Sequence, residues 1–238
     1  TGFVFGIFVF TWIFSGLLSM NPLSWSPDRS LSGPENLRWQ GGDLDLRKFT
    51  TPPGRAVDVL STYGNGPVKE LHMIQVQAQP YYLAYFDRDK TLLLPGDTAS
   101  EPMERIPESE LLSAVAQTNP APVTETRLLT EYDAYYYAKY RDKRLPVYRV
   151  KMDDTPGNWY YIDPQTGVVA DTYQSVNRLN RWIYHGLHSL DFPGLYFNRP
   201  LWDIIVIVLM TGGTGVCLTG VVLFFRWVRR KLGVADGG

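Results

Sequence analysis

Near the end of the chain, Ile204 to Phe225 forms a run of 22 residues without a single charge. At about 1.5 Å per residue such a run, wound as a helix, crosses a hydrocarbon core roughly 30 Å thick. Trp202 and Asp203 mark its near edge, and Arg226, Arg229, Arg230 and Lys231 follow the far edge. A basic cluster directly after a span places that end on the cytoplasmic side. A second uncharged run, Phe3 to Met20, opens the chain and stops at Asn21-Pro22. It has neither the charged leader nor the small-residue cleavage site of a signal peptide, so it is expected to be a membrane helix whose start is missing. Two spans put everything between them on one side of the bilayer, the extracytoplasmic one. The expected divisions are a transmembrane helix at 1–21, a linker at 22–50, two similar units at 51–104 and 105–172, an amphipathic membrane-proximal helix at 173–191, a transmembrane helix at 203–226 and a cytoplasmic tail at 227–238. A buried helix of a globular core is the competing reading of each apolar run.

Composition narrows the function classes. With 23 basic and 24 acidic residues the net charge is -1, which removes a general electrostatic case for nucleic acid binding. Cys217 is the sole cysteine, so neither an internal disulfide nor a cysteine-based zinc site is available. It lies mid-span and reads as a small packing residue. Gly2 and Gly6 in the first run and Gly212, Gly213, Gly215 and Gly220 in the second are positions where helices can approach closely. No nucleophile elbow, zinc-protease helix motif or phosphate loop is present.

The middle of the chain repeats itself. In the second half, "PESELLSAVAQT" (Pro107 to Thr118) carries Leu111, Leu112 and Val115 on one helix face, with proline at its start. Strand-like stretches follow: "PVTETRLLTEYDAYYYAKY", "LPVYRVKMDD" and "NWYYIDPQTGVVAD", the last a hairpin turning at Asp163 to Gly167. In the first half, "GRAVDVLSTYG" is the helix, and "PVKELHMIQVQ", "PYYLAYFD" and "KTLLLPG" are the strands, with Asp87 to Lys90 at the matching turn. Two helix-then-antiparallel-strand units predict an α+β domain.

This layout resembles the PepSY domain, and the later copy, with "YRV" then "YYIDPQTGVV", is the better match. The apolar helix ending "WIFSGLLSMNP", the PepSY-like middle, "RWIYHGLHSL" and a final Gly-rich span together resemble PepSY-associated membrane proteins. The fold class implied is an α+β extracytoplasmic domain of two PepSY-like units flanked by transmembrane helices. The resemblance further implies a bacterial inner membrane, a periplasmic domain and a link to iron acquisition, some members being haem-containing ferric-siderophore reductases. Those reductases carry more spans and more histidines than the two spans and three histidines here. Other transmembrane helices or subunits are then needed to complete such an electron path. PepSY modules also occur in protease propeptides, which motivates a second reading: a non-catalytic, membrane-anchored module that binds or inhibits a periplasmic protease or sensor.

The candidate site lies in "SVNRLNRWIYHGLHSL" (Ser175 to Leu190). At about 100° per residue, Leu179, Trp182, Ile183, Gly186, Leu187 and Leu190 share one face, and Arg178, Arg181, His185 and His188 the other. Three readings of this basic stripe stand. It is the wet face of a helix lying on the bilayer, basic side toward water or lipid phosphates. Or it faces other helices and holds a b-type haem, His188 before His185 as axial ligand, with Arg178 and Arg181 paired to propionates. Or His185 and His188 share zinc or copper, with Asp191 as the nearest third ligand. Two histidines on one side of one helix cannot take opposite axial positions on one haem. Outside this helix, His72 reads as a plain strand residue and Arg199 with Asp203 as an interfacial pair. The tyrosine-rich "YDAYYYAKY" is either a buried strand or a platform for a siderophore or peptide.

Overall fold

The computed structural model describes residues 2–22, 25–96, 101–138 and 143–232. Two compact units emerge. One joins residues 1–26 to 178–238, and the other spans 27–177. The readings on Lys139 and Tyr140, and on 233–238 of the tail, lie outside the described residues.

The 27–177 unit is α+β. Helix α2 (Gly33–Gln40) is followed by a 3-10 turn (Leu46–Lys48) and by α3 (Pro53–Gly64). Strands β1 (Glu70–Val76), β2 (Gln79–Tyr85) and β3 (Thr91–Pro95) then form an antiparallel sheet in the order β1-β2-β3. Helix α4 (Glu108–Thr118) leads into β4 (Val123–Leu129), β5 (Val147–Met152), β6 (Trp159–Asp163) and β7 (Val168–Tyr173), a second antiparallel sheet ordered β4-β5-β6-β7. The helix-then-meander repeat read from the sequence is present in both halves.

Strand β2 is apolar on both sides, and the packing says why. On one side, Tyr82 and Ala84 with Leu92 and Leu94 of β3 meet Ala56 and Leu60 of α3. On the other, Tyr81 and Leu83 with Leu93 join Leu111, Ala114 and Val115 of α4. The same α4 residues belong to one core with Val150 and Met152 of β5 and Tyr160 and Ile162 of β6. Both sheets therefore bury a face in a single core. The far face of the second sheet is tyrosine-rich: Tyr161 stacks on Tyr136 at 5.1 Å, and Tyr173 and Leu129 complete the cluster.

The stretch 22–50 is not the linker the sequence reading expected. Glu35 accepts from the Ser32 backbone N–H (2.8 Å) and hydroxyl (2.6 Å), fixing the start of α2. At the other end Trp39 is 4% exposed, sits in the shared core, and donates its indole N–H to the Gly167 carbonyl at 2.9 Å. Gly167 has φ +68, and a Cβ there would meet Ile106 at 2.7 Å and Val76 at 2.9 Å, so only glycine suits this turn. Asp163 shapes the same turn by accepting from Gln165 N–H and the Thr166 hydroxyl. A cleft of about 290 Å³ opens beside Trp39, walled by Leu31, Leu44, Met73, Ile74 and Val169.

The unit formed by 1–26 and 178–238 is helical: α1 (Gly2–Ser19), the latter half of α5 (Ser175–Asn180), a π-helical segment (Arg181–His188), α6 (Pro193–Tyr196) and α7 (Leu201–Lys231). Helices α1 and α7 are long and apolar enough to cross a membrane. They pack against each other where glycine allows it. A Cβ on Gly212 would meet the Phe5 ring at 2.0 Å, and one on Gly213 would meet Val9 at 3.3 Å. Gly2, Gly6, Gly215 and Gly220 have open space at that position among the described residues.

Two outcomes are expected for the 27–177 unit. Trp39→Ala removes a buried side chain and an indole hydrogen bond, and should lower unfolding free energy by about 3–5 kcal/mol in denaturant titrations. Glu125 is held to a pKa of about 2 by its hydrogen bonds to Lys151 (2.6 Å) and Arg149 (2.5 Å). Its folded pKa lies below the ordinary glutamate value of 4.5, so its stabilisation is present above pH 4.5 and is lost as pH falls toward 2. A Glu125→Gln variant should therefore lose less stability than wild type between pH 5 and pH 2.

Candidate functional site

The basic stripe begins on α5 and continues through Arg181–His188, which is wound as a π-helix. The expectation of one uninterrupted α-helix is corrected there. A π segment bonds i to i+5, so facing computed at 100° per residue no longer holds along it.

The stripe turns inward. Arg181 is 3% exposed and its guanidinium reaches the Asp191 carboxylate (3.3 Å) and carbonyl (2.8 Å). Asp191 is itself fully buried, and its N–H donates to the His185 carbonyl. Arg178 and His185 are half-buried. Leu179 and Leu187, by contrast, are exposed at 53% and 43%. The reading in which the basic face lies toward water or lipid phosphates is thereby corrected for Arg181 and His188, which face protein, while of the apolar side Leu179 and Leu187 are exposed and Gly186 is buried.

His188 is seated on α1. Trp12 donates its indole N–H to the His188 carbonyl at 2.6 Å. The His188 Nδ1 lies 3.2 Å from the Ser15 hydroxyl oxygen and 3.3 Å from the Trp12 carbonyl oxygen. Its ring stacks on Tyr184 at 5.0 Å, and a Cβ on Gly16 would touch its Cε1 at 3.4 Å. Among the described residues no hydrogen bond engages Nε2. The ring lines a cavity of about 270 Å³ between α1 and α7, with Phe8, Trp12, Trp202, Leu209 and Met210 among its walls. Trp202 is fixed by its own indole N–H, which is shared between the carbonyls of Ser189 and Leu190. Arg199 pairs with Asp203, as expected from the sequence, and lies 4.2 Å over the Trp202 ring.

These positions test the ligand sets read from the sequence. The zinc or copper reading loses its third ligand, because the Asp191 carboxylate is committed to Arg181. Among the described residues no three His, Cys, Asp or Glu side chains gather as a metal set. For a haem, His188 is the side chain of the stripe that would hold the iron. Metal-bound histidines characteristically set their other ring nitrogen against a carbonyl or similar group, and His188 Nδ1 lies 3.3 Å from the Trp12 carbonyl oxygen. Arg181 does not fit as a propionate partner, since it is neutralised and buried by Asp191. His72 stands apart on β1, exposed, 3.3 Å from Glu70. Ser15 and Trp12 lie in the quoted "WIFSGLLSMNP" but were not singled out as site residues, and nothing in the α1 sequence sets them apart from other span residues.

No protein-family model, curated protein or solved structure matches the chain.

The Arg181–Asp191 pair gives a direct test. Asp191→Ala leaves a buried guanidinium uncompensated and should destabilise the helical unit by about 3–5 kcal/mol. The double variant Arg181→Met/Asp191→Ala should recover most of that loss in the same thermal melt, because neither charge is then buried.

Proposed function

We propose that this chain is a PepSY-associated protein of a bacterial inner membrane that serves iron acquisition by haem-linked electron transfer to an external ferric complex such as a ferric siderophore. In this reading α1 and α7 span the bilayer, the 27–177 unit is periplasmic and the basic end of α7 is cytoplasmic. Support for the placement comes from the two apolar helices and from Arg226, Arg229, Arg230 and Lys231 at the end of the second. The two helix-plus-meander units support the PepSY assignment.

One observation carries the cofactor: a histidine whose Nδ1 side is tied to α1 and whose ring lines an aromatic, apolar cavity between the two membrane helices. A b-type haem, when bound, supplies one-electron chemistry that amino acid side chains do not. The chain's own residues do the rest. His188 supplies the ligand nitrogen, Trp12 holds its backbone, and Phe8, Leu209 and Met210 keep water from the ring. His185 lies three residues earlier on the same helix and cannot oppose His188, so any further residue that would hold the haem would come from another transmembrane helix or subunit.

A second reading has its own observation. The cleft beside Trp39, with Leu44 and Val168 exposed at its rim, suits a non-catalytic module that binds a periplasmic protease or sensor.

Absorption spectra of the detergent-purified protein, oxidised and dithionite-reduced, separate the two. The electron-transfer reading expects a sharp reduced b-type α-band that is lost in His188→Ala. Absence of the band after haem-sufficient expression would sink it in favour of the binding module.

A further inference from the structure

We propose that the cleft beside Trp39 takes an extended, uncharged segment of a partner polypeptide, which adds as an outer strand to the free edge of β1 and hydrogen-bonds through its backbone to Met73. The inference rests on the binding-module reading of that cleft and adds to it how the partner is held and what kind of segment it must offer. It makes no use of haem.

Hydrogen-bond parity identifies the free edge. Along an antiparallel strand, successive residues direct their N–H and C=O groups alternately to one neighbour and to the other. The Pro80 carbonyl accepts from the Gly96 N–H at 2.8 Å, so Pro80, Tyr82 and Ala84 of β2 face β3. Gln79, Tyr81, Leu83 and Tyr85 then face β1, where their partners are Val76, Ile74, His72 and Glu70. The residues between, Leu71, Met73 and Gln75, turn their backbone groups outward, and β1 is the outer strand of its sheet. Among the described residues no hydrogen bond reaches the outward N–H or C=O of Met73. The matching edge of β7 is covered in part by the chain itself, since the Thr172 N–H donates to the Arg29 carbonyl at 2.8 Å.

The cleft lies on the β1 edge. Four consecutive residues, Met73 to Val76, line it, and because neighbours on a strand point to opposite faces, what all four share with the cleft is the edge. Leu31, Trp39, Leu44 and Val169 supply apolar walls, and none of the described residues lining it is charged. A charged ligand finds no counter-charge there, and a small apolar molecule leaves the Met73 groups unmet. An extended polypeptide meets both conditions: its backbone pairs with the edge and alternate side chains enter the cleft. Free edges are ordinarily guarded by lysine, proline or a bulge. Strand β1 contains neither residue, and its register with β2 is unbroken from Glu70 to Val76.

The test uses the full chain in lipid nanodiscs and two pools of end-capped octapeptides. One pool is built only from valine, isoleucine, leucine, threonine, serine and glutamine; the other carries aspartate or lysine at alternate positions. Wild type is expected to retain members of the uncharged pool, and the strongest binder then gives a Kd by fluorescence anisotropy. Met73→Pro removes the outward N–H and leaves the β1–β2 bonds, which use other residues, in place. It should raise the Kd at least about tenfold, the effect of one backbone hydrogen bond left unmade, whereas Met73→Leu should bind as wild type does. N-methylation of the peptide backbone should weaken binding at one parity of positions and not at the other, and bound peptide should slow hydrogen exchange at the Met73 N–H. An unchanged Kd in Met73→Pro, or equal effects of methylation at both parities, overturns strand addition and leaves the binding module standing. Retention of the charged pool alone does the same, and retention of neither pool sinks both. A chain that dimerises through this edge, with the dimer lost in Met73→Pro, overturns the proposal in favour of a second copy. If Met73→Pro does not fold, peptide methylation and exchange in wild type still decide.

Discussion

Three small apolar residues on one helix, Leu111, Ala114 and Val115, tie the two halves of the α+β unit together. Each sheet alone would leave an apolar face in water. The first sheet covers one face with α3 and needs α4 for the other, and the second sheet needs the same helix. Burying each of the larger side chains is worth about 1.5–3 kcal/mol, so both halves draw stability from this shared layer. The repeat is one of sequence pattern, and the folded object is single.

The helical unit depends on a different kind of contact. Its membrane-proximal segment carries an arginine, an aspartate and a histidine inward, where each must find a partner because none finds water. Arg181 and Asp191 satisfy each other, and His188 is satisfied by α1. Ionisable groups buried in this way are costly unless paired, and Arg181 and Asp191 are paired. The π winding at the same residues belongs to that picture, since such segments re-aim side chains that a regular helix would point elsewhere.

Much of this was legible in the residues. Alternation of apolar and polar positions marked β5 to β7, the Asp163–Gly167 turn announced itself, and α1 and α7 followed from uninterrupted apolar runs. Helix α2 escaped notice although Ser32 and Glu35 form a recognisable start signal; at eight residues it was too short for its period to register. The hairpin at Gln77-Ala78 was equally hidden. Both residues adopt positive φ without being Gly or Asn, and the turn is held from outside, by the Trp39 and Gln40 carbonyls accepting their N–H groups. At the site, the sequence expected four side chains on one stripe but could give neither the π winding that redistributes them nor the direction in which they face. Facing arithmetic assumed 3.6 residues per turn, and the partner that fixes His188 lies 173 positions away. No local pattern carries that information.

One hydrogen bond in the α+β unit bears on how the whole chain is made. Asn177 donates to the Pro27 carbonyl at 2.7 Å, so the unit begins and ends at one point. The Trp12–His188 contact otherwise closes a loop of 176 residues. Once the intervening unit has folded, the flexible path between them is only about 27 residues, which lowers the closure cost by about 1.7 kcal/mol. The contact between Trp12 and His188 thus joins residues made well apart in time, and its closure is easier once the unit between them has folded. A chain that stops short of His188 would therefore leave the inner side of α1 without the contact that Trp12 makes.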